Sequence, residues 1–286
     1  MVSELKQILS QASKILAKSK HIRPNYESKL IMSKLINRDL LEIFVNSDLK
    51  ITESEKKIFF RNIFKRYEGK PLSKIFGFKE FYSNDFYVNN HTLDPRPESE
   101  LIVDAVLKIE VKKGNRNLNI LDLGVGSGCL LISLLKELGF QNEVRGMGVD
   151  VCDKALMIAK KNVRKFGLEN KIILLKSDWF SKIEEKFDII ISNPPYIDRE
   201  YLCKLSEEVI DYDPIIALDG GKKGLEGYKV ISENCFNFLK KDGYICLEIG
   251  EGQKKDVEKL FNKKGLKKIF DFKDLLGIDR VLVFKK

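Results

Sequence analysis

The sequence predicts an α/β fold with a doubly wound, mostly parallel sheet, preceded by a small helical bundle and a linking β-hairpin. Two observations predict the sheet. Short apolar runs of strand length alternate with helical patterns over residues 96–286, and the first run ends directly in a glycine-rich turn. Apolar residues at helical spacing throughout residues 1–70 predict the bundle, which leaves residues 71–95 as the hairpin linker.

The composition is that of a globular protein with a basic surface. Of the 286 residues, 43% are hydrophobic and 33% are charged, and the net charge is +9. The lysines are spread along most predicted helices, so the charge favours an anionic partner only weakly. No apolar run has the length of a membrane span, and the N-terminus lacks the apolar core of a secretory signal. We therefore expect a cytoplasmic protein that does not bind a membrane.

The five cysteines and two histidines form neither a disulfide framework nor a metal-binding pattern. The cysteines are scattered without a C-x-x-C spacing, and His21 and His91 lie in unrelated contexts. We expect both histidines at the surface and no metal site or Ser–His–Asp triad.

The helical region is predicted to contain helices over residues 5–17, 26–36 and 40–46. Residues 52–55 form a capping box that opens a fourth helix. The region carries no glycine-rich loop and no catalytic constellation. Two interpretations stay open for residues 1–70, a substrate-docking module and a merely stabilising extension.

A hairpin and a proline-flanked arginine follow. Residues 78–88 predict two strands around the turn Ser83-Asn84-Asp85. Arg96 then stands between Pro95 and Pro97, which hold it extended and reduce the entropy lost on ordering it. Arg96 is therefore a candidate substrate-binding residue.

The glycine-rich turn and the acidic residue after it predict a nucleoside site. The buried strand 119–123 runs directly into Gly124, Val125, Gly126, Ser127 and Gly128. This spacing is G-x-G-x-G, and Cys129 stands where a dinucleotide fingerprint needs Gly or Ala. The second strand ends in Asp150, in position to accept from both ribose hydroxyls.

Trp179 is the only tryptophan and comes just after the predicted strand 171–175. Two interpretations stay open, a core anchor and a wall of the adenine pocket. In the second, Asp178 would lie near the exocyclic amine.

The buried strand 187–192 stops abruptly at Asn193-Pro194-Pro195-Tyr196. Proline lacks an N–H, so the backbone leaves the sheet at its carboxyl edge, where open α/β sheets bind ligands. The Asn193 side-chain carbonyl and the Pro194 backbone carbonyl could accept both hydrogens of a planar –NH₂ group, and Tyr196 offers a flat face for stacking. The motif is typical of amino-group methyltransferases.

These patterns assign roles to the residues of the motif. We predict Asn193, Pro194 and Tyr196 as catalytic residues, and Asn193, Pro194, Pro195 and Tyr196, with Arg96, as substrate-binding residues. The glycine-rich turn, Asp150, Trp179 and Asn193 are predicted to bind a cofactor that contains a nucleoside.

The rest of the chain completes the sheet. A polar loop over residues 207–219 precedes Gly220, Gly221 and Gly224, a flexible stretch that could close over a substrate. The remaining predicted elements are a helix at 225–239, a turn at 241–243, a strand at 244–249, a helix at 257–261, and two late strands at 267–270 and 281–284.

These motifs, in this order, closely resemble the PrmC/HemK family of peptide chain release factor glutamine methyltransferases. The resemblance covers residues 70–286, and the matching segments are 80–82, 95–98, 121–128, 177–180, 192–196, 217–221, 247–250 and 279–280. The chain departs from the family pattern at Val125, where Thr or Ala is usual. It also carries Lys222-Lys223 where an acidic residue usually precedes Gly224.

The resemblance implies the class I S-adenosylmethionine-dependent methyltransferase fold, whose edge carries an antiparallel pair of strands. It also implies methyl transfer from S-adenosyl-L-methionine to the glutamine amide in the Gly-Gly-Gln loop of release factors, with S-adenosyl-L-homocysteine as product. The sulfonium is an activated donor, so no metal is needed.

Three alternatives stay open: a ribosomal-protein glutamine methyltransferase, an amino-methyltransferase acting on a nucleic-acid base, and a non-enzymatic nucleoside-binding module. A base-modifying enzyme would extrude its target base into the pocket. A DNA-modifying enzyme would also carry a target-recognition domain, for which the chain leaves little room. Direct nucleic-acid binding stays open but is not expected.

Overall fold

The computed structural model describes residues 4–19, 23–45, 49–111, 117–139 and 143–286. The chain divides into two units, Met1–Gly77 and Phe78–Lys286. His21 and Asn46, the predicted end of the third helix, lie outside the described residues.

The first unit is helical. Its helices are α1 (Glu4–Leu16), α2 (Pro24–Ile36), α3 (Leu40–Val45), α4 (Glu53–Tyr67) and α5 (Leu72–Phe76). Side chains at helical spacing form its core, among them Leu5, Ile8, Ala12, Ile31, Phe59 and Ile63.

The capping box predicted for α4 is confirmed. The Glu55 backbone N–H donates to Thr52 Oγ1 at 3.2 Å, and the Thr52 N–H donates to Glu55 Oε2 at 2.8 Å. These two bonds satisfy donors that the first helical turn leaves without partners. Near the other end of α4, Arg66 Nε donates to Glu27 Oε2 at 2.7 Å, so an ion pair joins α4 to α2.

The second unit opens with the predicted hairpin, but the turn lies earlier than expected. The strands are β1 (Phe78–Phe81) and β2 (Asn84–Tyr87), with Phe81 opposite Asn84. The turn is Tyr82-Ser83, and both residues have positive φ angles, 48° and 56°. A two-residue turn of this kind matches the twist of its strands. The predicted turn residues Asn84 and Asp85 therefore belong to β2.

A seven-stranded sheet forms the centre of the second unit, in the order β5-β4-β3-β6-β7-β9-β8. The strands are β3 (Leu118–Leu123), β4 (Val144–Asp150), β5 (Ile172–Lys176), β6 (Phe187–Ser192), β7 (Leu239–Glu248), β8 (Lys267–Lys273) and β9 (Asp279–Lys285). Strands β3 to β7 pair in parallel, and β9 pairs antiparallel with both β7 and β8. The doubly wound fold and its antiparallel edge pair are confirmed.

The helices cover both faces of this sheet. They are α6 (Glu100–Val111), α7 (Cys129–Leu138), α8 (Asp153–Lys165), α9 (Glu207–Tyr212), α10 (Glu226–Phe238) and α11 (Lys254–Asn262). Successive residues of β3 enter opposite cores. Ile120 packs with residues of α6 and α7, whereas Leu121 packs with residues of α10 and α11.

Two predictions about the second half of the sheet are wrong. Residues 207–219 are not a continuous loop, because they contain α9 and a short 3₁₀ turn, Ile215–Ala217. Strand β7 begins at Leu239 and runs through the turn expected at residues 241–243. The pairing of β6 with β7 shifts register between Phe187 and Ile189, so the extra residues bulge from a strand that continues.

The sheet order fixes where a ligand can bind. Strand β3 lies between β4 and β6, and the crossovers leave it in opposite directions. A crevice opens at such a point, outside the carboxyl ends of the strands. Among the described residues, no helix is both long and apolar enough to cross a membrane.

Candidate active site

A cavity of about 550 Å³ lies in this crevice. The predicted site residues that line it are Arg96, Gly124, Val125, Gly126, Ser127, Asp150, Trp179, Asn193 and Pro195. The fold therefore brings together residues that are far apart in the sequence and that were predicted to bind the cofactor and the substrate.

The glycine-rich turn forms one wall of the cavity. The backbone N–H groups of Gly124 and Val125 both donate to the Val149 carbonyl, at 2.9 and 2.8 Å, which fastens the turn to β4. Gly126 has a φ of 53°, a left-handed conformation that glycine adopts without strain. Gly128 does not line the cavity, because it caps the N-terminus of α7 and is buried.

Asp150 lies at the end of β4 with its carboxylate held by the backbone. Gly126 N–H donates to Oδ2 at 3.0 Å and Cys152 N–H donates to Oδ1 at 2.9 Å. Burial raises the pKa of Asp150, and these N–H donors partly oppose the rise. Each carboxylate oxygen keeps a further lone pair, so the group can still accept from a vicinal diol.

A second carboxyl group lies beneath this wall and was missed by the sequence analysis. Asp122 in β3 is 1% exposed, and neither of its oxygens completes a hydrogen bond among the described residues. Desolvation and the nearby charge of Asp150 raise the pKa of Asp122 to about 8, although the Leu131 backbone N–H lowers it somewhat. Its position in the first predicted strand was a signal, since a carboxylate there has no solvent.

The position of Trp179 is compatible with both interpretations, and contact with adenine stays a prediction. It lines the cavity, and it is half-buried because it also packs against the core on the α10–α11 face of the sheet. Its backbone is left-handed, with φ 49°, and Ser177 Oγ donates to its carbonyl at 2.9 Å. Asp178 lines the cavity beside it.

Asn193 follows the last residue of β6. Ser192 Oγ donates to the Leu123 carbonyl at 2.7 Å, so the start of the Asn-Pro-Pro-Tyr motif is tied to β3. Asn193 Nδ2 donates to Ser99 Oγ at 3.0 Å, and Oδ1 accepts no hydrogen bond from any described residue. The side chain therefore presents a free acceptor at the cavity wall.

The other motif residues are placed differently. Pro194 is buried, and its carbonyl accepts no hydrogen bond from the described residues. Tyr196 does not line the cavity. Its hydroxyl donates to Glu248 Oε1 at 3.1 Å, and burial together with the Glu248 carboxylate raises its pKa. Substrate contact by Tyr196 stays a prediction.

Arg96 also lines the cavity. Its guanidinium Nη2 donates to Asp213 Oδ2 at 2.7 Å, and the Arg96 side chain is 40% exposed. This ion pair holds the segment after α9 against the cavity. His91 also lines the cavity and is half-buried, contrary to the surface position predicted for it.

The glycine stretch after residue 219 packs behind the motif, so the expectation of a flexible closing loop is wrong. Gly220 N–H donates to the Ile197 carbonyl at 2.8 Å. A Cβ on Gly224 would lie 1.9 Å from the Tyr196 carbonyl oxygen. Gln253 Nε2 donates to that same oxygen at 3.0 Å. The stretch is a fixed support for the backbone of the motif.

Three supporting residues were therefore not predicted as part of the site: Ser99, Glu248 and Gln253. Residues 247–250 match the family pattern, which was the available sequence signal for Glu248. Ser99 carries no sequence signal, since a serine immediately before a helix is ordinary.

Comparisons with known proteins agree with this architecture. Residues 7–77 match the model of the PrmC N-terminal domain, and residues 98–212 match the methyltransferase small domain. The chain is 36% identical to a release factor glutamine methyltransferase of Agrobacterium fabrum, over 92% of this chain and 91% of that protein.

Longer relatives are also found. The chain is 36% identical to a bifunctional methyltransferase of Rickettsia prowazekii but spans only 57% of its length. Among solved structures, a methyltransferase from Pyrococcus furiosus aligns with a TM-score of 0.53 at 20% identity, covering 82% of this chain and 99% of that one. That likeness extends to the fold alone.

Proposed function

We infer the reaction from the premise that this chain belongs to the family of release factor glutamine methyltransferases. We propose that it transfers a methyl group from S-adenosyl-L-methionine to the side-chain amide nitrogen of the glutamine in the Gly-Gly-Gln motif of a peptide chain release factor. The products would be the N5-methylated glutamine and S-adenosyl-L-homocysteine.

One observation carries the proposal: Asn193 lines the cavity with a free Oδ1, and the carbonyl of the next residue, Pro194, accepts no hydrogen bond from the described residues. A primary amide has two N–H donors in one plane, and two neighbouring acceptors can hold both. Held in this way, the nitrogen has a fixed position and direction. An amide is a weak nucleophile, so positioning is the main contribution that the protein can make.

The residues at the other end of the cavity fit S-adenosylmethionine. The Asp150 carboxylate is fixed by two backbone donors and can accept from the ribose hydroxyls, while the turn at Gly124–Gly126 lets a ligand approach the backbone. Trp179 offers an aromatic wall for the adenine. When bound, the sulfonium would supply a methyl group that is already activated for transfer.

The residues of the motif then act on the acceptor. Asn193 Oδ1 and the Pro194 carbonyl would hold the amide hydrogens and stabilise the positive charge that develops on the nitrogen as the new bond forms. The ion pair of Arg96 with Asp213 would keep the wall of the acceptor side in place.

Replacement of Asn193 tests the proposal. Asn193→Ala removes the acceptor, and loss of one preorganised polar contact of this kind lowers turnover by about a hundred- to a thousandfold. Cofactor affinity should change much less, because the lost contact is to the acceptor substrate. The measurement is single-turnover methylation of purified release factor, with cofactor binding followed by calorimetry.

Asn234→Ala is the matched control, because Asn234 Nδ2 donates to the Val230 carbonyl within α10 and Asn234 is not among the described residues that line the cavity. Wild-type protein that leaves release factor unmodified would reject the proposed substrate. Turnover of Asn193→Ala within a few-fold of the control would reject the assigned role of Asn193.

A further inference from the structure

Glu248 is a buried acid that forms no part of the cavity wall. It is the last residue of β7 and is 1% exposed. Tyr196 donates its hydroxyl to Oε1 at 3.1 Å, and Ser99 donates its hydroxyl to Oε2. Both oxygens of the carboxylate are therefore occupied by hydroxyl donors.

The Ser99 hydroxyl connects Glu248 to the candidate catalytic amide. Ser99 is 3% exposed and accepts from Asn193 Nδ2 at 3.0 Å. A hydroxyl has one hydrogen, and an ionised carboxylate can only accept. The hydrogen of Ser99 must therefore point to Glu248, which leaves the lone pairs of Ser99 for an N–H donor. Only the Nδ2 side of the Asn193 carboxamide can occupy that position, so Oδ1 faces away from Ser99.

We propose that Glu248 is a positioning residue that acts through Ser99 to fix the orientation of the Asn193 carboxamide, so that Oδ1 is presented to the acceptor amide. Glu248 itself touches no substrate. The inference rests on the proposed function for the identity of the acceptor, but the orientation of Asn193 can be measured without it.

The same carboxylate fixes the other end of the motif. Tyr196 reaches Glu248 through its hydroxyl, and its backbone carbonyl accepts from Gln253 Nε2. Tyr228 donates to the Glu248 backbone carbonyl at 3.0 Å, so the end of β7 is itself anchored to α10. A single buried acid thus holds both the first and the last side chain of the Asn-Pro-Pro-Tyr motif.

The donor and acceptor directions of these hydrogen bonds depend on the protonation state of Glu248. Burial and the nearby Glu98 raise its pKa, whereas the Ser99 and Tyr196 hydroxyls and Arg280 lower it, to give a value of about 7. Tyr228 also lies close to it, and the charge of Glu248 contributes to the raised pKa of Tyr228. A protonated Glu248 must donate one hydrogen bond, which removes an acceptor from Ser99 or Tyr196. Turnover should therefore fall as the pH is lowered through about 7.

Two substitutions interrupt the connection at different points. Glu248→Gln keeps the shape but introduces a donor, and Ser99→Ala removes the hydroxyl. Each should lower the turnover number by about ten- to a hundredfold, as misplacement of a reacting group does, with cofactor affinity within about threefold. In Glu248→Gln the pH dependence near 7 should disappear. The double variant should be no slower than the slower single variant.

Ser232→Ala is the matched control. Ser232 is a serine of α10 that is 1% exposed, and its hydroxyl donates to the Lys229 carbonyl. The Ser232→Ala variant therefore lacks a buried hydroxyl but keeps the hydrogen bonds that join Glu248, Ser99 and Asn193. Its turnover and pH profile should be those of the wild type.

The second measurement does not depend on activity. In protein labelled with ¹⁵N-asparagine, the side-chain amide resonances that vanish in Asn193→Ala belong to Asn193. They should shift in Glu248→Gln and Ser99→Ala and stay in place in Ser232→Ala. Unchanged Asn193 resonances, or wild-type turnover, in folded Glu248→Gln and Ser99→Ala would overturn the inference. If the wild-type protein does not methylate release factor, but the Asn193 resonances shift as expected in the two variants, the proposed acceptor is rejected and the positioning role of Glu248 stands.

Discussion

At the scale of single residues, burial decides what the carboxyl groups of the cavity can do. Asp150 and Asp122 lie on neighbouring strands, and two backbone N–H groups donate to Asp150 at 3.0 and 2.9 Å, whereas the Leu131 N–H only partly offsets the burial of Asp122. Asp122 is enclosed and has its pKa raised to about 8. The same residue type therefore serves as a fixed ionic acceptor at one position and a largely neutral acid at the other.

The role of Asp150 can be tested by its removal. Asp150→Ala should weaken S-adenosylmethionine binding by about 1.5–3 kcal/mol, the range for hydrogen bonds to a charged group. Calorimetry gives this value directly. Asp153→Ala is the control, because Asp153 is exposed at the start of α8 and pairs with Lys176 outside the cavity. Equal affinities in the two folded variants would contradict the assignment.

The raised pKa of Asp122 makes stability depend on pH. Its folded-state value of about 8 is above its ordinary value of 3.8, so the neutral form stabilises the fold below pH 3.8. That contribution is lost as the pH rises through the folded pKa. Asp122→Asn should therefore be more stable than the wild type at pH 9, by about 1–3 kcal/mol, with a smaller difference at pH 5.

Denaturant unfolding of the ligand-free protein at the two pH values measures the effect. A difference between variant and wild type that is the same at pH 5 and pH 9 would exclude a raised pKa for Asp122.

At the scale of elements, residues 218–224 support the backbone of the Asn-Pro-Pro-Tyr motif where the chain leaves β6. Bonds from Ile197 N–H to the Leu218 carbonyl and from Gly220 N–H to the Ile197 carbonyl, at 3.0 and 2.8 Å, align it with the chain that leaves the strand. Lys222 and Lys223, which depart from the family pattern, lie on its exposed side. Because these two side chains are exposed, the departure from the family pattern does not alter the packing of the segment against the motif.

The close approach at Gly224 gives a prediction for this element. Gly224→Ala would place a methyl group 1.9 Å from the Tyr196 carbonyl oxygen in a backbone with φ 66°, so the motif must shift. We expect at least a tenfold loss of turnover, since displacement of a reacting group by about 1 Å costs up to a hundredfold. Gly252→Ala is the control, because it has a similar φ of 79° and open space around it.

Measured turnover and thermal unfolding separate the two effects. The control reports the cost of alanine in a left-handed backbone alone. If both variants lose the same activity, the contact with Tyr196 has no part in holding the motif.

At the scale of the whole molecule, the chain joins two units that have separate cores. Among the described residues, those of the helical core all belong to the first unit, and those that line the cavity all lie between residues 91 and 230. This separation makes substrate docking the role that we predict for the first unit. Cofactor binding should then be a property of the second unit.

Removal of the first unit tests this division. A protein of residues 78–286 should bind S-adenosylmethionine with an affinity close to that of the full chain but fail to methylate intact release factor. Circular dichroism and thermal unfolding establish first that the shortened protein is folded. Full methylation of release factor by a folded 78–286 protein would rule out docking and favour a stabilising extension.

Much of the fold followed from the sequence because its signals are local. The apolar run of β6, the glycine-rich turn and the capping box at Thr52 each depend on residues within one element. The placement of Asp150 and Asn193 at one edge of the sheet also followed, since parallel strands bring their carboxyl ends to one edge. The predicted position of the hairpin turn was wrong because Tyr82 and Ser83 adopt positive φ angles, which tyrosine and serine rarely do.

The contacts that hold the site were decided by tertiary structure alone. Asn193 lies 94 residues after Ser99 in the sequence, and Glu248 lies 149 residues after it. Nothing in the sequence around any of the three indicates that hydrogen bonds connect them. Burial removes water from around them, so each donor must find a protein acceptor once the sheet and α6 close over the group. The sequence by itself determined which groups meet at the edge of the sheet, and packing determined which way each of them points.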